Sequence, residues 1–218
     1  IGDETPLEVA ERLMKFFNPN GMSGVNNSYL YKGPRVTNIK ITVETMLDVI
    51  FLKRDASYDN TFGYYYYKTD EEPQMISSVD KYIVFPNAYE GKYLPILKCG
   101  NKARLLYFYE DGKASEKFPA GYTVGWFIYA DGFNGYYHDY DVKENEIRTK
   151  ELRTSNEAFG NLNGFVSVKD EKSGKTIIGV EDGANQSYCD LLFYVDATPE
   201  GSIDDPDRPI IKPDDGKD

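Results

Sequence analysis

Near the start of the chain, apolar residues recur at helical spacing. Thr5 is a favourable N-cap, Pro6 suits the first helical position, and Glu8 can close a capping box with Thr5. The residues that follow on one face of the helix are Ala10, Leu13, Met14 and Phe17. This pattern predicts one amphipathic helix over residues 5–18, which lies against a sheet or closes one end of it.

From Val36 onward, the apolar positions take the period of two that is typical of strands. Turn signals such as Asp131-Gly132 and Asn134-Gly135 separate the apolar runs. Many short strands between turns favour the all-β class, specifically a β-sandwich with one N-terminal helix, and a jelly-roll order of strands is left open. We expect one domain over residues 1–198. The predicted strand regions are 36–43, 47–52, 59–67, 82–85, 103–109, 118–133, 165–168, 177–180 and 188–195.

Four consecutive tyrosines, Tyr64 to Tyr67, stand out in one of these predicted strands. Successive side chains of a strand point to opposite faces of the sheet. We therefore expect two of the four rings to enter the core and two to line the surface.

After Thr198 the chain becomes rich in Asp, Pro and Gly, with few apolar residues to bury. Such a composition favours turns and solvation over packing. Residues 199–218 are therefore predicted to form a poorly packed tail, or a linker to a neighbouring domain.

The acidic composition excludes two classes of partner. The formal net charge is −11, and nucleic acids and anionic lipids are bound by clustered Lys and Arg. No apolar run reaches the roughly 18 residues of a spanning helix. The chain does not begin with Met, which is compatible with a removed leader and export. A cation, a cell-surface glycan or a protein remains as an expected partner.

An acidic loop between two apolar runs is the strongest candidate site. Glu181 and Asp182 end one run, and Asp190 opens the next. Carboxylate, amide and carbonyl oxygens suit Ca²⁺, so these three acids with Asn185 are the predicted ligands. Asp59 and Asn60 are further candidates if their loop lies at the same end of the sandwich. The alternative is an ordinary solvated turn.

Four stretches of the chain match the motifs of a known family: Gly179–Asp182, Asp190–Phe193, the Asn-Thr-Phe-Gly-Tyr-Tyr segment at 60–65 and the strand and turn at 118–133. Through them, residues 36–197 resemble an exported bacterial family, the domain of unknown function numbered 4114. The resemblance implies a calcium-associated domain of Gram-negative surface proteins, sometimes beside a LruC-type domain, without established enzymatic activity. This chain departs from the family pattern at Ser187, where Asp is usual, and at Cys189, where Asn is usual.

Together these features favour a non-catalytic, exported structural or adhesive module, located at the cell surface, in the periplasm or outside the cell. The alternative is a carbohydrate-binding module in which Tyr136, Tyr137 and Tyr140 form an aromatic platform. Catalysis is not indicated, because the only histidine, His138, precedes Asp139 in a strand-like segment where adjacent side chains diverge. Whether Cys99 and Cys189 form a disulfide stays open.

Overall fold

The computed structural model describes residues 4–17, 36–88, 97–134, 147–159, 164–183 and 187–212. Over these residues the protein is mainly β, with two main sheets and one α-helix, and this confirms the predicted fold class. No helix among the described residues is long and apolar enough to cross a membrane.

The N-terminal helix, α1 (Pro6–Leu13), begins as the sequence predicts. The Thr5 hydroxyl oxygen accepts a hydrogen bond from Glu8 N, and the Glu8 carboxylate accepts one from Thr5 N at 2.8 Å. The helix is shorter than the predicted range 5–18, because the chain continues from Met14 in turns. Phe16 N already bonds to Leu13 O, a spacing of three residues that tightens the end.

The strands form two main sheets. In chain order, the described strands are β1 (Ile39–Lys40), β2 (Met46–Lys53), β3 (Thr61–Lys68), β4 (Tyr82–Phe85), β5 (Lys102–Arg104), β6 (Tyr107–Phe108), β7 (Ala114–Ser115), β8 (Tyr122–Tyr129), β9 (Leu152–Thr154), β10 (Phe165–Asp170), β11 (Thr176–Val180), β12 (Leu191–Thr198) and β13 (Ile210–Ile211). A five-stranded sheet has the order β1-β8-β3-β4, with β9 also paired to β8, and a six-stranded sheet has the order β13-β10-β11-β12-β2-β5. All pairs are antiparallel except β10 with β13, and β6 pairs with β7 separately.

The main core lies between the two sheets and is rich in aromatic rings. Phe62 of β3 and Trp126 of β8 stack at 5.9 Å between ring centroids. Phe193 of β12, from the other sheet, packs on both, at 4.8 Å from Phe62 and 5.1 Å from Trp126. These contacts across the layer define a sandwich, since each ring buries apolar area that one sheet alone would leave exposed.

A second apolar layer covers the outer face of the six-stranded sheet. Val9, Ala10 and Leu13 of α1 are buried there against side chains of β2, β10, β11 and β12. Arg12 binds the helix to strand β10, because its guanidinium donates two hydrogen bonds to the Asp170 carboxylate, at 2.6 and 2.7 Å. The helix therefore lies against the sheet, which is one of the two placements that the sequence left open.

The tyrosine strand differs from the prediction. Tyr64 and Tyr66 face the main core, as expected for one alternating pair, but Tyr65 and Tyr67 on the other face are covered as well. Tyr65 is fully buried, and its ring lies where Gly125 leaves room, since a Cβ there would come within 2.3 Å of the ring. The expectation that one pair lines the surface is wrong, because a further layer packs on the five-stranded sheet.

The segment after Thr198 also differs from the prediction. Strand β13 pairs with β10 in parallel, and Ile211 is fully buried in the apolar layer under α1. Ser202 is buried too, and its hydroxyl donates to Thr45 Oγ1 at 2.6 Å. The predicted poor packing is therefore wrong for residues 199–212. Although the composition of this segment is polar, Ile203 packs against the main core and Ile211 is buried under α1, and backbone hydrogen bonds hold the segment to the sheet. Residues 213–218 lie outside the described part.

Candidate metal centre

Two adjacent strands of the six-stranded sheet position the acidic residues. Strands β11 and β12 are antiparallel, and Val180 at the end of β11 pairs with Leu191 at the start of β12. Asp190 N donates to Val180 O at 3.1 Å and extends this pairing by one residue. The register therefore brings Glu181 and Asp182, which follow β11, next to Asp190, which precedes β12.

The three carboxylates converge, as the sequence predicts. One oxygen from each of Glu181, Asp182 and Asp190 lies within 4.8 Å of the others. Their exposed fractions are 2%, 8% and 4%, so the group is buried and is not the solvated turn that was the alternative. Three carboxylates this close repel one another unless a cation or protons neutralise them.

Glu181 is held by backbone N–H groups of the loop that it precedes. Its Oε1 accepts a hydrogen bond from Gly183 N at 2.8 Å. Its Oε2 accepts from Ser187 N at 2.7 Å and from Tyr188 N at 3.4 Å. These donors fix the carboxylate in one orientation and partly replace the water that burial removes.

Asp182 is positioned by the opposite sheet. Asn60, directly before β3 and fully buried, donates from Nδ2 to Asp182 Oδ2 at 2.6 Å, and its own Oδ1 accepts from Asp131 N at 3.0 Å. Asp182 N in turn donates to Asp190 Oδ2 at 2.7 Å. Asn60 thus reaches the site as expected, but as a donor that orients a carboxylate.

The other predicted ligands are not part of this group. The Asp59 carboxylate lies 3.8 Å from the Arg54 guanidinium, and Asp59 is not among the three acids that converge. Asn185 lies outside the described residues, and so do Tyr136, Tyr137 and Tyr140 of the predicted glycan platform.

Burial and charge change the acidity of two of the three acids. Burial first, and the neighbouring Asp182 charge second, raise the pKa of Asp190 to about 9. The pKa of Asp182 is also raised, chiefly by burial. Near neutral pH the pair therefore holds a proton when no cation is bound, and a cation that binds there must displace it.

Sequence reasoning missed two residues at this end of the sandwich. Arg153 of β9 donates from Nε to Asp182 O at 3.1 Å. Asn87 is buried, and neither its amide nitrogen nor its amide oxygen has a hydrogen-bond partner among the described residues. The next residue, Ala88, donates its N–H to Asn60 O at 2.8 Å, which places Asn87 beside the Asn60 backbone. Their short local sequences carry no signal of this role, because distant strands bring them here.

Fold and site together define a β-sandwich domain with a buried acidic group at the ends of two neighbouring strands. A family model, Domain of unknown function (DUF4114), matches residues 118–198, from just before β8 to the end of β12. This match agrees with the family resemblance found in the sequence, and the matched segment contains all three converging acids. No curated protein and no solved structure was found to match the chain.

Proposed function

We propose that the domain is a non-catalytic structural or adhesive module of an exported surface protein, and that Ca²⁺ binds at Glu181, Asp182 and Asp190. The observation that carries the proposal is the burial of three carboxylates within 4.8 Å of one another. Burying even one unpaired carboxylate is unfavourable. A bound cation would offset the free-energy cost of burying three of them together.

The chemistry of the ligand atoms favours Ca²⁺ over other metals. All three groups offer hard oxygen atoms, and the described part of the group contains neither His nor Cys, which zinc prefers. Ca²⁺ accepts six to eight oxygens in flexible geometry, including backbone carbonyls and amides, whereas Mg²⁺ requires a near-ideal octahedron. The buried Asn87 amide, which has no hydrogen-bond partner in the described part of the chain, lies at the same end of the sandwich and is a candidate source of one further oxygen.

Export and surface location are supported by the family resemblance, and the net charge of −11 suits a cation as ligand. Millimolar Ca²⁺ is typical outside cells, and extracellular modules bind it with dissociation constants of roughly 10⁻⁴–10⁻³ M. In this proposal the ion stabilises the junction between the two sheets, since Asn60 and Asp182 already connect them.

Thermal unfolding with Ca²⁺ and with a chelator tests the proposal. At about 10 mM Ca²⁺, dissociation constants in the range above stabilise the fold by about 1.5–3 kcal/mol, or about 3–10 °C in Tm for a domain of this size. Mg²⁺ at the same concentration is expected to give a smaller shift.

A matched pair of variants makes the test specific. Asp190→Asn retains an oxygen that accepts the hydrogen bond from Asp182 N but removes one charge, so the Ca²⁺ response should disappear. Asp70→Asn changes an exposed acid beyond the far end of β3 and should leave the response intact. The absence of any Ca²⁺ shift in the native chain, or an unchanged shift in Asp190→Asn, would refute calcium binding at this site.

A further inference from the structure

A cavity lined mostly by residues with polar side chains lies at the other end of the sandwich from the acidic group. It has a volume of about 440 Å³, within the range of roughly 300–1,000 Å³ that is usual for small-molecule sites. Tyr67 and Thr69, at and after the end of β3, line it, whereas Asn60 precedes the start of β3. Eight strand residues at about 3.3 Å each separate the two sites by roughly 25 Å.

The wall of the cavity is organised around the Tyr67 hydroxyl. Tyr67 Oη accepts hydrogen bonds from Asn38 Nδ2 at 3.4 Å and from Asn156 Nδ2 at 3.3 Å. Asn156 Oδ1 accepts from Ala158 N at 2.9 Å, so this buried amide is held at both ends. The Glu72 carboxylate lines the same cavity and adds a negative charge near this hydroxyl. The polar groups are thus fixed in place before any ligand arrives.

Two further hydroxyl contacts complete this polar wall. Ser155 Oγ accepts from Trp126 N at 2.7 Å and donates to Asn38 Oδ1. Thr69 Oγ1 and Thr123 Oγ1 lie 2.8 Å apart and share one hydrogen bond. The backbone amide of a fully buried strand residue therefore anchors one end of the network, which gives the wall the rigidity of the sheet.

Within the described part of the chain, the wall has hydrogen-bonding capacity that its own contacts do not use. Each of the Asn38 and Asn156 amide groups has two N–H donors, and one donor of each bonds to Tyr67. The threonine pair needs only one of its two hydroxyl protons for the contact between them. The cavity thus offers donors and acceptors side by side, and Lys40 and Glu72 add one charge of each sign.

We propose that this cavity binds a neutral pyranose sugar. Each sugar hydroxyl is both a donor and an acceptor, which matches a wall of amides and hydroxyls. An apolar ligand would leave those amides unpaired at a cost, and one charge of each sign, from Lys40 and Glu72, gives a multiply charged ligand no advantage. The site is independent of the calcium proposal, because it rests on other residues and another end of the fold.

The cavity also differs from the glycan platform predicted from sequence. That platform used Tyr136, Tyr137 and Tyr140 as stacking faces, whereas the cavity uses Tyr67 as a hydrogen-bonding centre. The four lining segments are β1 with the residues before it, the end of β3 with the residues after it, β8, and the segment after β9. Only the folded sandwich brings them together.

Titration of the full chain by NMR tests the proposal, with glucose, galactose, mannose and N-acetylglucosamine as separate probes at millimolar concentrations. We expect at least one sugar to give saturable shifts of the Asn38 and Asn156 side-chain amide signals, equally in Ca²⁺ and in chelator. Galacturonate is the charged counterpart of galactose and should bind more weakly. No saturable shift with any of the four sugars, shifts confined to other residues, or tighter binding of galacturonate would overturn the proposal.

Adjacent glutamates supply the matched controls. Glu72 lines this cavity, whereas Glu71 lines a different one between β3 and the turn at 73–80. Glu72→Gln should weaken binding about ten-fold, because a hydrogen bond to a charged acceptor is lost, and Glu71→Gln should leave it unchanged. Equal effects of the two variants, or none from either, would contradict the assignment. Tyr67→Phe keeps the ring, removes the hydroxyl and should also weaken binding, while the backbone spectrum shows whether the fold is intact.

Discussion

Strand β13 is predicted to contribute to stability through one side chain, and two neighbouring isoleucines allow a controlled test. Ile211 is 0% exposed in the apolar layer under α1, whereas Ile210 is 46% exposed. Both residues belong to the same two-residue strand, so their backbone surroundings are matched. Replacing each with Ala makes the same change in composition at a buried and at an exposed position. The difference between the two variants therefore measures the contribution of packing.

The structure sets the expected magnitude. Truncating a fully buried Ile to Ala removes apolar contact and leaves a cavity, at a cost of about 2–5 kcal/mol. For a protein of this length, that cost corresponds to about 5–15 °C in Tm. The same change at the exposed Ile210 should stay within about 0.5 kcal/mol. Removing everything after Thr198 should cost more than Ile211→Ala, since Lys169 N also bonds to Pro209 O at 2.8 Å and Glu171 N to Ile211 O at 3.0 Å.

Urea denaturation followed by the fluorescence of Trp126 is a suitable assay. Trp126 is the only tryptophan and is fully buried between the sheets, so its emission reports the loss of the main core. Equal small losses in both isoleucine variants, together with a truncated chain of unchanged stability, would refute the docking of β13. Such a result would restore the expectation of a loosely packed tail.

Three further predictions concern charged groups. In chelator, stability should fall as pH rises from about 4 to about 9, because folded Asp190 keeps a proton that the unfolded chain releases near pH 4, and Tm measured with Ca²⁺ should lose much of this dependence. Ser187→Asp should tighten Ca²⁺ binding in a calorimetric titration and lower Tm in chelator, because it adds a fourth buried acid beside Glu181. Arg12→Met should destabilise by about 3–5 kcal/mol in urea, because it leaves the Asp170 carboxylate buried without its partner, and adding Asp170→Asn should recover part of the loss.

Local sequence patterns predict the individual helices and strands of this fold better than they predict which strands pair with one another. The capping box at Thr5 fixes the start of α1, because its signal lies within four residues, but the end of the helix depends on how Phe16 and Phe17 pack. The apolar run at 47–52 predicts a strand, and both of its faces are buried in β2. That β2 pairs with β12 has no local signal, since the two strands are more than a hundred residues apart.

The same limit applies to the candidate sites. Glu181, Asp182 and Asp190 could be predicted together because one hairpin places them at paired strand ends. The donation from Asn60 to Asp182 comes from the opposite sheet, and the cavity around Tyr67 draws on segments across much of the chain. Neither arrangement leaves a pattern in any single stretch of sequence.

The pairing of the strands also bears on where the domain can be cut. The matched family segment, residues 118–198, contains β8 and β12, but their long partners β3 and β2 both lie before residue 118. Expressed alone, the segment would expose two unpaired strand edges and half of an aromatic core, which is the surface from which aggregation starts. It would also lack Asn60, and with it the donor that orients Asp182. The unit of folding is therefore larger than the unit of family similarity, and boundaries for recombinant fragments should follow the strand pairs.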